Sequence, residues 1–247
     1  LTRGLYFQAN YTYSKAYTDF EGSDANFSAL LDLGLGGVVE KKRQTNDVTH
    51  VFKANAVWEL PIGPGKRLLN FDGFLGHVFS GWQMNGIFEQ RSGRPISFIS
   101  GRGTLNRNGR SGKNTATTTL SLEELKSSMG IFFDPVTSRP LVIDPRLIGR
   151  DGRANPEFFG HPVPGTDGTL HLTPVSGPGF WNFDFSMIKR TRISERTNVE
   201  FRAEFFNVFN HTNFSVPNQL DINSPDFGKI NSTFDQRILQ LAWKFTF

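Results

Sequence analysis

The 247-residue chain has no cysteine, which excludes a disulfide scaffold, a thiolate metal site and a cysteine nucleophile. It has no apolar run near 18 residues and so offers no transmembrane helix. Transmembrane strands stay open, because each needs only about 9–11 residues and gives a weak signal. Tyr and Trp are scarce at four each, whereas Phe and Gly occur 25 times apiece. Phe at about a tenth of a chain exceeds ordinary usage and suits an all-β protein with an aromatic surface, not a helical bundle. Charge is thinly spread at a net +4; the one cluster, Lys41-Lys42-Arg43, reads as a solvated loop and not as a nucleic-acid patch. The chain opens on Leu1 without Met or signal peptide, from which a mature domain or a piece of a longer chain is expected.

Chemistry is equally sparse. His50, His77, His161, His171 and His211 show no paired ligand spacing, and Asp19, Glu21 and Asp24 lack the ligand run of a calcium loop. No Gly-x-Ser-x-Gly elbow and no phosphate-cradling glycine loop occurs. Neither metal, cofactor nor catalysis is expected, and the chain reads as a non-enzyme.

What is present is strict alternation. Over residues 197–206, Val199, Phe201, Ala203 and Phe205 alternate with Asn198, Glu200, Arg202 and Glu204. Over residues 236–247, Leu239, Leu241, Trp243, Phe245 and Phe247 alternate with Ile238, Gln240, Ala242, Lys244 and Thr246. A period of two puts one set on each face of a strand. The same pattern predicts strands over 4–18, 50–60, 81–90 and 180–190. Residues 91–95 (Arg-Ser-Gly-Arg-Pro) are expected to kink the third strand before Ile96 and Phe98 resume it. Between residues 66 and 80, Leu68, Phe71, Leu75 and Val78 recur at helical spacing, predicting a short helix against the sheet's end. Ser121 and Glu124 have capping-box spacing for a second helix ending near Gly130.

The predicted connections are 19–48, 61–80, 101–179, 191–196 and 207–235. In an up-and-down meander alternate connections share an end, so the long ones gather at one rim. Outer-membrane barrels have that asymmetry, with short periplasmic turns and long external loops. The connection over 101–179 is expected to be irregular, and so long an insert is rare in a compact soluble domain. Two folds remain. One is a soluble secreted β-sandwich binding module with Phe buried between sheets. The other is an antiparallel all-β meander of about six long strands in a membrane barrel. Six strands do not close a spanning barrel, for which eight is about the minimum, so the second reading requires more strands before Leu1.

One segment carries a resemblance. Residues 202–214 (Arg-Ala-Glu-Phe-Phe-Asn-Val-Phe-Asn-His-Thr-Asn-Phe) resemble the penultimate-strand motif of TonB-dependent outer-membrane receptors. The nearest branch is the Oar-like, carboxypeptidase-regulatory-like-domain-containing group of acidobacterial type. Further matching pieces, in order, are Leu60-Pro61-Ile62-Gly63, Gly81-Trp82-Gln83-Met84-Asn85-Gly86, Ser92-Gly93-Arg94-Pro95, Gly177-Pro178-Gly179-Phe180, the run from Asp184 to Arg190 and the terminal Phe247.

The resemblance implies that residues 1–247 are the C-terminal segment of a plugged barrel of about 22 strands. The plug, TonB box and N-terminal domain would precede Leu1, and the barrel would lie in the outer membrane of a Gram-negative bacterium. Its partners would be outer-membrane lipid, the barrel-assembly machinery, TonB through that missing N-terminal part, and an unknown extracellular solute, a glycan or a chelate. Trp243, Phe245 and Phe247 match the family's terminal assembly signal. Glu200, Arg202 and Glu204 would line the lumen, or only satisfy each other across strands. Asn207, Asn210 and Asn213 read as turn formers where the strand leaves the membrane. Candidate ligand contacts are Arg102, Asn106, Arg107, Arg110 and Asn114, with Phe158, Phe159 and Trp181 as stacking surfaces. A passive porin-like or adhesive barrel is the remaining alternative.

Overall fold

The computed structural model describes residues 4–18, 31–32, 38–39, 41–66, 73–102, 115–166, 168–170, 174–217 and 219–247. Six strands form one antiparallel sheet, each paired with the next in the chain. They are β1 (Leu5–Tyr13), β2 (His50–Glu59), β3 (Trp82–Arg91), β4 (Phe180–Arg192), β5 (Asn198–Phe206) and β6 (Ile238–Thr246). No helix among the described residues is long and apolar enough to cross a membrane.

Register decides what the alternation means. Phe7 lies opposite Ala56, Ala56 opposite Gly86, Gly86 opposite Phe185, Phe185 opposite Phe205, and Phe205 opposite Leu239. A slip of one residue at any seam would send a whole strand's side chains to the other face. No seam slips, so the six apolar stripes merge into one continuous side, and no second sheet covers it among the described residues. Leu5, Phe7, Tyr11, Leu239, Leu241, Trp243 and Phe245 are all exposed on it. In water such a side would demand a cover; in acyl chains it needs none. Aromatic rings gather at its two ends. At one, Tyr11 and Tyr13 pack on His50, and Phe52, Phe88 and Trp181 pack in a row; Trp58, Trp82 and Trp243 stand at the other. These are the two aromatic girdles of a bilayer-spanning wall.

The opposite side is mainly polar, with Val51, Val57, Ile87 and Ile188 scattered among its hydrogen-bonding groups. Arg190 donates to Glu200 (2.8 Å) and to Gln83 (2.9 Å), Gln83 to Asn85, and Asn85 to Ser186 (2.9 Å). Arg202 also donates to Glu200, and Lys53 pairs with Glu89 at 3.5 Å. These groups satisfy one another along a wall that faces water.

The connections alternate in length as expected, but the longest is not irregular. The third strand does not resume after its kink. Gly93 brings the chain so close to the Gly177 carbonyl that a Cβ there would lie 1.8 Å from its oxygen, and Pro95 follows. The chain then leaves the sheet. Pro95–Ile99 becomes the centre of a separate three-stranded sheet, antiparallel to Val175–Ser176 and parallel to Gln219–Asp221. Around it the β3–β4 and β5–β6 connections share one apolar core that includes Ile96, Phe98, Val142, Phe159, Leu220 and Phe227. The Phe98 and Phe159 rings stack at 5.5 Å, and Phe159 meets Phe227 edge-on at 5.5 Å. Helix α2 (Leu122–Ser127) closes one side; Ser121 and Glu124 form the complete capping box, and Leu125 fills the core. We call this folded unit the outer body.

The β1–β2 connection is tied to it through Arg43. Its guanidinium donates to Asp47 (2.7 Å), Thr49 (3.1 Å) and Ser176 of the outer body (2.8 Å). At the other rim the links are short. Residues 193–197 turn between β4 and β5, and the β2–β3 connection carries the seven-residue helix α1 (Gly73–Phe79). Gly81, at φ +73°, joins α1 to β3 where a Cβ would lie 2.2 Å from the Arg190 carbonyl oxygen.

Candidate functional site

Where the hydrophilic side of the wall meets the outer body, the three long connections converge. An outer recess of about 260 Å³ is lined by Thr45 and Asn46 of the first, Arg91, Ser92 and Arg94 at the start of the second, and Ser215 and Phe234 of the third. Arg91 ends β3 on the wet side, directly opposite Phe180 at the start of β4. Its guanidinium carbon sits 4.3 Å over the Phe180 ring and 5.8 Å from that of Phe234, while Glu89 stands 3.9 Å from the cation. The Phe180 and Phe234 rings meet edge-on at 5.2 Å.

Those two rings also line a second recess of about 480 Å³ further down the wall, with Asn182, Asp184, Asn207, Asp235 and Gln240. Asp184 is held in place by Asn182 (2.8 Å) and by the Asn207 amide (2.9 Å). The result is a stepped path: an arginine-bearing mouth, a pair of aromatic rings, then a carboxylate- and amide-lined shelf on the lumen side. Arginine forks suit carboxylates and phosphates, and amides with carboxylates suit hydroxyls.

Asn207 and Asn210, at φ of +50° and +52°, build the exit of β5, and the Asn207 side chain exchanges hydrogen bonds with the His211 backbone. Asn213 exchanges two hydrogen bonds with the Trp181 backbone, locking that exit to β4. Above them Asp47 anchors the first connection. Burial raises its pKa, but hydrogen bonds from the Ala16 amide and Arg43, with the Arg43 charge, outweigh burial and hold the carboxyl below its ordinary value.

The residues expected from sequence fall in different places. Glu200, Arg202 and Glu204 share the wet side, with Glu200 gripped by both Arg190 and Arg202. Trp243, Phe245 and Phe247 are exposed on the apolar margin of β6 and at the terminus. Arg102 is exposed on the outer body. Asn106, Arg107, Arg110 and Asn114 lie outside the described residues. Phe159 is core, 4% exposed against Phe98 and Phe227, and has no face left for a ligand; Phe158 packs beside that core. Trp181 stacks on His211 at 4.2 Å in the girdle on the apolar side, because its parity is that of Phe183 and Phe185. Parity would have picked Phe180 instead. Arg91 and Phe234 carry no signal of their own in the sequence; only pairing and folding bring them together.

A single sheet with one apolar, girdled side, one hydrogen-bonded polar side and loops gathered by rim defines the wall of a transmembrane β-barrel. The chain belongs to the outer membrane beta barrel domain family, whose model matches residues 1–240. It is an outer-membrane protein, and the soluble sandwich reading falls, since the Phe-rich side has no facing sheet among the described residues. No curated protein and no solved structure matches the chain.

Proposed function

We propose that the chain forms wall and outer mouth of a plugged receptor that takes up a scarce extracellular solute with energy supplied through TonB. The stepped path from the Arg91 recess past Phe180 and Phe234 to the Asp184 shelf carries this reading, because it places ligand-type groups in series toward the lumen. The solute class it suits is an acid-bearing, hydroxyl-rich molecule, a glycan or a chelate. The TonB partnership and the plug come from the resemblance of residues 202–214 and the other matching pieces, and both would reside in sequence before Leu1. The two margins of the sheet, β1 and β6, expose unpaired backbone that lipid does not tolerate, so closure takes further strands. Trp243, Phe245 and Phe247 would then present the signal read by the barrel-assembly machinery.

The test uses the full-length protein in liposomes and needs no knowledge of the solute. A plugged receptor gives no swelling in isosmotic small sugars and binds the periplasmic domain of TonB. Swelling without TonB binding would make it a passive porin-like barrel, and neither swelling nor binding would leave an adhesive one.

A further inference from the structure

On the lipid side, at the rim of the short connections, α1 folds back beside the wall. Phe74 and Val78 of α1 form one flank of a groove of about 450 Å³; Trp82, Phe201 and Trp243 form the floor and far flank. The groove is built to stay apolar: Phe201 and Trp243 pack ring to ring at 4.6 Å, and Phe74, which also lines it, is 81% exposed. Water gains nothing there, whereas an acyl chain laid between helix and strands would cover all five side chains.

A single charge interrupts this surface. Lys189, which register places between Trp82 and Phe201, also lines the groove. Its amine donates to the Ser80 carbonyl at the end of α1 and lies 5.6 Å from the Trp82 ring. A lysine on a lipid-facing side is costly at the midplane and tolerated near the interface, where its stem lies along apolar surface and its amine reaches polar groups. An ammonium at the rim end of an acyl-sized groove complements a phosphodiester above a hydrocarbon chain.

We propose that this groove is a site for one phospholipid, its acyl chain held between α1 and strands β3, β5 and β6, and its phosphate paired with Lys189. The site requires only the membrane setting and is independent of which solute the barrel carries. Helix α1 is thereby fixed as a lipid clamp at the end of the wall opposite the outer body.

The experiment is native mass spectrometry of the full-length protein exchanged from detergent supplemented with phosphatidylglycerol. Wild type retains one phosphatidylglycerol, and diacylglycerol, which lacks the phosphate, displaces it at least tenfold less well than phosphatidylglycerol does. Lys189→Gln lowers retention at least tenfold, and Phe74→Ala with Val78→Ala does the same, while heat-modifiable gel mobility confirms that each variant is folded. Failure of wild type to retain lipid, equal competition by diacylglycerol, or folded variants retaining as much as wild type would each overturn the site. A crosslinked dimer through α1 in place of bound lipid would overturn it as well.

Discussion

Replacing Ala54 by Arg tests the wall directly, because Ala54 leaves almost no side chain to lose. It is the fifth of ten residues in β2, flanked across the sheet by Ala9 and Phe88 on the apolar side. At about 3.4 Å per residue and a tilt near 40°, a ten-residue strand spans roughly 26 Å along the membrane normal, close to the ~25 Å apolar band of such barrels. Ala54 therefore lies within a few ångströms of the midplane, where an arginine facing lipid costs about 2–4 kcal/mol. At about 1.4 kcal/mol per decade that is roughly a 30- to 700-fold loss in the folding equilibrium. Asn55, the next residue, points to the wet side, so Asn55→Arg should cost less than about 1 kcal/mol. Denaturant unfolding of the complete barrel in lipid vesicles, followed by tryptophan fluorescence, reads both. Equal costs at the two neighbours, or no cost at Ala54, would refute the assignment of this side to acyl chains.

Three further outcomes follow from the outer body and its ties. Phe98→Ala empties a fully buried site and should destabilise the body by about 3–5 kcal/mol, seen as rapid proteolysis within residues 92–176 while the membrane wall keeps its gel mobility. Gly93→Ala forces a Cβ against the Gly177 carbonyl and should cost about 1–3 kcal/mol, read by the same proteolysis. The folded pKa of Asp47 lies below its unfolded value, so its contribution is complete above about pH 4 and is lost as pH falls through the depressed value. Proteolysis of the β1–β2 connection should accelerate in acid for wild type, whereas Asp47→Asn should be cut faster by about 2 kcal/mol at pH 7 and lose that pH response.

The strands were legible because period-two patterning is local: each strand records its two faces in its own residues, and Phe201, Phe205 and Trp243 all stand where alternation puts them. Strand ends shifted by only a few residues for the same reason, with β4 running on to Arg192 and a separate two-residue strand at Tyr17–Thr18. The capping box of α2 was legible too, since its donors and acceptors lie three residues apart. The outer body was not. Its core joins Phe98 to Phe227, and one of its strand pairs is parallel, between segments more than a hundred residues apart. Ile96 and Phe98 continue an alternating pattern, and nothing local says that they have changed sheets. The mouth was missed on the same ground. Arg91 and Phe180 become neighbours only through register, and Phe234 joins them from a third connection.

That shared core also makes two distant connections depend on each other. The body's parallel strand, Gln219–Asp221, lies in the β5–β6 connection, so the β3–β4 connection has no complete hydrophobic centre without it. A cut in either connection therefore loosens the whole cap, which gives way as one cooperative unit and not loop by loop.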